Sequence, residues 1–159
     1  MNREILFKAK RIDNGEWIEG SFLINTIEST GKIEKQYKIE NITYGLFPND
    51  FMSGVSEQVE PATVCQFTGL TDKNGVKIWE NSILCYKGYK TPLYGVVKFE
   101  EFITDDSEQY IGFFVEWAPN GDGVKWADLR CDIGYWAVDN YTEVIGNRFD
   151  NPELIKEDK

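Results

Sequence analysis

The sequence predicts an all-β or predominantly β protein, antiparallel, with a barrel-like or strongly curved sheet and few short helical turns. Short runs rich in β-branched and aromatic residues alternate in polarity. Clusters of Gly, Asn and Asp separate those runs, and apolar positions at helical spacing are hard to find. With 159 residues, the chain fits one domain over 1–159, with room for two β lobes meeting near residue 60. A domain of this size buries about two-thirds of its unfolded surface, enough for a core without staples.

The elements follow in order. Ile5 to Ile12 alternates, with Ile5, Phe7 and Ala9 on one face and Leu6, Lys8 and Lys10 on the other. The Asp13-Asn14-Gly15 turn then leads into EWIEGSFLI, where Ile18, Phe22 and Ile24 share a side, so the two runs read as a hairpin. A polar loop over Glu28 to Lys32 precedes a strand in KQYKIENITY. Residues 43–58 scatter Gly45, Pro48, Asn49, Asp50 and Gly54 among aromatics, which suggests an irregular connection with one helical turn. Extended structure resumes in VEPATVCQFTGL, because Pro61 biases Glu60 away from helix. Five further runs, ILCYKGY, LYGVVKFEEF, YIGFFVEWA, VKWADL and YTEVIGNRF, are bounded by turn residues such as TDDSEQ and PNGDG. The last residues, NPELIKEDK, suit a short helical turn or a frayed tail. About eight to ten strands in one chain favour a barrel or a strongly curved sheet.

The central stretch QFTGLTDKNGVKIWENSI could be a catalytic loop, a ligand cradle or a turn. Asn74 and Gly75 accept left-handed backbone angles, and Asp72 can accept hydrogen bonds from the backbone ahead of it. The local chemistry is therefore that of a tight turn. A phosphate cradle would need Gly-x-x-x-x-Gly-Lys-Ser/Thr, which Gly69 to Gly75 does not supply.

Two blocks, EPATVCQFTGLTDKNGVKIWENSIL and EVIGNRFDNPELI, resemble the YopX protein family, encoded by bacteriophages and prophages. Pro61, Thr63, Val64, Gln66 to Leu70, Asp72 to Gly75, Trp79, Glu80 and Ile83 fit the first family pattern. Glu143 to Asn147, Phe149 and Asn151 to Leu154 fit the second, and FKAKRIDNGEW is similar to the family's start. Cys65 stands where the family usually has Gly, and Asn81-Ser82 replaces Gly-Asp. Any metal duty of that Gly-Asp pair would be lost here, whereas Asn-Ser can still make a turn. The resemblance implies a β-rich phage or prophage accessory protein and supplies no catalytic residue.

Composition narrows the chemistry. There is no histidine, which removes Ser-His-Asp and Cys-His catalysis and every His-containing zinc site. Cys65, Cys85 and Cys131 are odd in number and widely spaced, which fits buried apolar roles in a reducing compartment. The first residues lack the apolar stretch of a secretory signal, and no apolar run approaches a membrane span. We therefore expect a soluble protein in the cytoplasm of the bacterial host, with no membrane partner.

The formal charge is −10, and it is uneven. Residues 1–90 carry 11 Lys+Arg against 12 Asp+Glu, whereas residues 91–159 carry 6 against 15. Direct nucleic-acid binding is disfavoured by that sign, although Lys8, Lys10 and Arg11 make a local basic strip. Phe102, Tyr110, Phe113, Phe114, Trp117, Trp126, Tyr135, Trp136 and Tyr141 are interleaved with acids. That pattern reads either as β core with a solvated acidic exterior or as a decoy surface for a basic host protein. A carboxylate-metal hydrolase built from Asp105, Asp106, Glu108, Glu116, Asp122 or Asp128 is a third class.

The leading expectation is a non-catalytic module that binds a host or phage protein or self-associates as a homo-oligomer. No cofactor, metal or catalytic residue is assigned. The candidate binding residues are Asp72, Lys73, Asn74 and Gly75, with Glu80 as an exposed polar neighbour. Trp79 fits core and interface equally. The structural reading of the same residues is turn chemistry and strand initiation.

Overall fold

The computed structural model describes residues 5–43, 53–88, 90–103, 109–117 and 141–155. The fold is predominantly β, and its strand pairings are antiparallel. The chain divides into two compact units, residues 1–67 and 68–159.

In the first unit, β1 (Phe7–Lys10) pairs with β2 (Trp17–Ser29) in the register Phe7 to Gly20 and Ala9 to Ile18. Gly20 is required there because an added Cβ would lie 2.2 Å from the Glu40 carbonyl oxygen. β3 (Lys32–Thr43) pairs with β2 along nine positions and with β4 (Ser53–Gln58) on its other side. On its free side, β1 meets the start of β5 (Cys65–Thr71) at Gln66 and Cys65, just after a 3-10 turn at Pro61–Thr63. Thr63 holds that turn to β1, since Lys10 N donates to its Oγ1 at 2.9 Å. The core of this unit is Ala9, Ile39 and Val59, covered by Phe7, Ile18, Phe22, Tyr37 and Val64. Phe22 lies between Phe7 and Tyr37, with ring centroids 5.5 and 6.2 Å away.

The second unit contains the rest of β5, with β6 (Lys77–Trp79) beside it. It also contains a four-stranded sheet ordered β10-β7-β8-β9, formed by β7 (Ser82–Tyr86), β8 (Leu93–Ile103), β9 (Gln109–Trp117) and β10 (Thr142–Asn147). Ser82 to Cys85 are all buried, as expected of a central strand covered on both faces. Ile78, Leu84, Leu93, Val97, Phe113, Val115 and Trp117 form one core cluster, against which Leu70, Tyr86 and Val144 pack. Gly95 leaves room for that cluster, because a Cβ there would come within 2.6 Å of the Trp117 ring and of Val115. A 3-10 turn at Pro152–Ile155 follows β10 where a short helical turn is expected.

Three expectations need correction. The described strands form open sheets and do not close into a barrel. The polar loop at Glu28 to Lys32 shrinks to the pair Thr30-Gly31, with φ of 52° and 75°. Two positive φ values match the right-handed twist of the flanking strands, so β2 and β3 continue to the turn itself. Within the connection expected over 43–58, Ser53–Gln58 is a strand because β3 offers it an edge to pair with. Ile24 shares the face of Ile18 and Phe22, as expected, but is 53% exposed where those two are half-buried. The runs at 104–109, 119–123 and 124–129, with Trp126, Cys131, Tyr135 and Trp136, lie outside the described residues, apart from Gln109, which opens β9.

Candidate functional site

The expected turn forms, and its geometry is set by one carboxylate. Asp72 is 5% exposed at the end of β5. Its Oδ1 accepts from Asn74 N at 2.8 Å and from Val76 N at 2.9 Å. Its backbone closes the loop, with Asp72 N donating to Val76 O and Gly75 N donating to Asp72 O. Gly75 takes φ of 80° in open space, so glycine is needed there for conformation rather than for room.

The second oxygen reaches much further along the chain. Asp72 Oδ2 accepts from Val144 N, on β10, at 2.9 Å. A single carboxylate thus ties the first motif block to the second, and both of its oxygens are engaged by backbone N–H groups. An ion triad reinforces the junction: Glu143 lies 2.6 Å from Lys73 Nζ and 2.5 Å from Lys87 Nζ. Hydrogen bonds from Lys73, then from Lys87, pull the Glu143 carboxyl from its ordinary value down to about 2.

Asn147 organises the far end of β10. Its Oδ1 accepts from Phe149 N and Asp150 N, each at 3.0 Å, and its Nδ2 donates to Asp150 at 2.8 Å. Asn151 N donates back to Asn147 O. Gly146 makes way for this loop, because a Cβ there would sit 2.4 Å from Asn151 Oδ1. Arg148 N then donates to Asn81 O, and Asn81 N donates to Val97 O on β8.

Asn81 and Ser82, where the resemblance has Gly-Asp, make a turn. Asn81 carries the positive φ, 64°, that Gly would tolerate. Ser82 is buried, and its Oγ accepts from Trp79 N at 3.0 Å. Cys65, at the other departure, is fully buried with its thiol donating to Thr63 O.

The structure therefore brings Asp72, Lys73, Asn74 and Gly75 together in one turn. Glu80, expected to be an exposed neighbour, is half-buried, in a short turn between two buried strands. Trp79 is core, 4% exposed. Sequence reasoning passed over Glu143, Lys87 and Asn147. Glu143 and Asn147 stand in the second motif block, but which residues they meet depends on a pairing between distant segments.

The groups at this junction are poor nucleophiles. Glu143 holds the Lys87 ammonium protonated by hydrogen bonding and charge, and burial pushes the Cys85 thiol up. Elsewhere in the first unit, an open cavity of about 380 Å³ is lined by Ile12, Asp13, Lys38, Ser56, Glu57 and Gln58. Arg11 beside it is already paired with Asp13 and Glu57. Among the described residues, no three His, Cys, Asp or Glu side chains group closely enough to hold a metal ion. No described helix is long and apolar enough to cross a membrane. Of the carboxylates expected for a metal site, Glu116 pairs with Lys98, and Asp105, Asp106, Glu108, Asp122 and Asp128 lie outside the described residues.

No curated protein matches the chain. The crystal structure of protein EF1440 from Enterococcus faecalis is similar over 98% of this chain and 100% of its own, at 22% identity and a TM-score of 0.49. Residues 6–156 match the family model described as YopX protein, and the chain belongs to that family.

Proposed function

We propose that this YopX family member acts by contact rather than by bond-making, as a non-catalytic accessory module that binds a protein partner or a second copy of itself. A phage or prophage gene expressed in the bacterial cytoplasm is the setting that the family resemblance supports.

The observation carrying this reading is the far end of the β2–β3 ribbon. Among the described residues, β1 accompanies β2 only along Trp17–Gly20, and β4 accompanies β3 only along Lys38–Thr43. Beyond those limits, two strands run on to Thr30-Gly31 with Leu23, Ile24, Ile27 and Ile33 exposed, Ile33 to 71%. A two-stranded ribbon is marginal in water, and apolar residues held on one are better explained by a surface that covers them. The conspicuous motif residues, by contrast, are spent on internal hydrogen bonds, which leaves the ribbon as the better candidate for contact.

The test is capture from bacterial cells that also express a differently tagged second copy, using the native protein and an Ile24→Lys/Ile33→Lys variant. The native protein should retain a specific protein, whether the second copy or another chain, and the variant should lose it while keeping its circular-dichroism spectrum. Equal retention by both, or none by the native protein, would contradict the reading.

A further inference from the structure

Asparagine followed by glycine is chemically reactive, because glycine has no side chain to keep its amide nitrogen away from the asparagine amide carbon. Among the described residues there are two such pairs, Asn14-Gly15 and Asn74-Gly75, and they differ in one respect. Both asparagines are exposed. Both glycines take positive φ, 71° and 80°, with nothing within 4 Å of where a Cβ would lie. In each pair the glycine N–H donates at 3.0 Å to a carbonyl earlier in the turn, Arg11 O or Asp72 O. The side chains are held differently. Asn14 Oδ1 accepts from Glu16 N and Asn14 Nδ2 donates to the Glu16 carboxylate, each at 2.9 Å. Asn74 donates its backbone N–H to Asp72 Oδ1, and among the described residues its side-chain amide makes no hydrogen bond.

We infer that Asn74 is a site of spontaneous deamidation, and that this modification loosens the turn through which Asp72 holds β10. Gly75 N loses its proton to a solvent base and attacks Asn74 Cγ. The bond from Cγ to Nδ2 breaks, Nδ2 leaves as ammonia with a proton taken from solvent, and a cyclic succinimide remains. Water then cleaves one of its two ring C–N bonds. Cleavage at Cγ gives aspartate, whereas cleavage at the main-chain carbonyl gives isoaspartate, with the chain rerouted through Cβ. One water is consumed and one ammonia released, with no oxidant or cofactor. Asn14 must give up two hydrogen bonds before its Cγ can reach Gly15 N, whereas the Asn74 side chain gives up none. The isoaspartate product inserts an extra main-chain carbon between Asn74 N and Val76 N, two donors to the same Asp72 oxygen. The insertion moves one of them away from that oxygen. Asp72 is also the residue whose other oxygen holds Val144 N, so the change is felt at the joint.

Incubating the native protein in mildly alkaline buffer and mapping its peptides by mass spectrometry tests this. In the folded protein Asn74 should convert about 10-fold faster than Asn14, whose amide must first be freed from Glu16. In urea the two should convert at similar rates, because both precede glycine. Glu16→Ala, which removes the carboxylate acceptor, should speed conversion of Asn14 and leave Asn74 unchanged. Protein carrying isoaspartate at 74, isolated by chromatography, should exchange the Val144 amide faster than fresh protein. Asn74→Asp, which adds the charge without the extra carbon, should not. Asn74 staying intact in the folded protein while converting in urea, Asn14 converting as fast as Asn74, or Glu16→Ala leaving Asn14 unaffected would overturn the assignment of the site. Val144 exchange unchanged by isoaspartate would overturn its effect on the joint.

Discussion

Two turns in this protein use the same backbone chemistry and have opposite fates. Thr30-Gly31 and Asp72 to Gly75 each join antiparallel strands through positive φ at a glycine. At the first, Thr30 Oγ1 donates only to the carbonyl of its neighbour Ser29. At the second, the carboxylate that shapes the loop also holds a strand 72 residues away. Turn chemistry therefore decides where the chain reverses. Whether a turn is a joint of the fold or a free tip depends on the groups that meet it from elsewhere.

Removing the joint should have the largest effect. Asp72→Ala deletes the acceptor for three backbone N–H groups in a part-buried site, and urea unfolding should show a loss of about 3 kcal/mol. An unchanged midpoint would mean that water replaces the carboxylate without cost. Next come the glycines that allow close approach around the second core. Gly95→Ala and Gly146→Ala force a methyl group into Trp117 and Asn151 respectively, and each should cost about 1–3 kcal/mol in the same assay.

The ion triad sharpens the comparison through pH. Because the folded Glu143 carboxyl is lowered from 4.5 to about 2, the folded state favours its ionised form. Its stabilisation is present in full above about pH 4.5 and fades as pH falls toward 2. Glu143→Gln should flatten that part of the acid-unfolding curve relative to the native protein, and parallel curves would remove the triad from the account. The smallest effect belongs to the free tip: Ile33→Thr should leave stability within about 0.5 kcal/mol, since little packs against that side chain.

Much of this was legible in the chain itself. Alternation located β1 and the start of β2, runs of β-branched and aromatic residues bounded by turns located β7, β8 and β9, and Asp-Asn-Gly and Lys-Asn-Gly located two reversals. The extended ribbon was not legible, because strands wetted on both faces need not alternate, and Glu28 to Lys32 resembles a loop by polarity. Alternation also put Ile24 on the face of Ile18 and Phe22, but the strands that flank that face stop short of it. Ser53–Gln58 has little β propensity and owes its strand conformation to the edge of β3. In the candidate site the turn was readable from Asp72, Asn74 and Gly75. Its contact with Val144 and the Lys73–Glu143–Lys87 triad were not, since nothing local encodes a partner 70 residues away.

Amide hydrogen exchange on the native protein sets the two turns side by side in one measurement. Val76 and Val144, whose N–H groups the Asp72 carboxylate holds, should open only with the whole second unit and exchange among the slowest amides. Thr30 and Gly31 should exchange among the fastest. Val144 exchanging as quickly as the ribbon tip would contradict the view that the motif blocks are a joint of the fold and that the ribbon is the part left free.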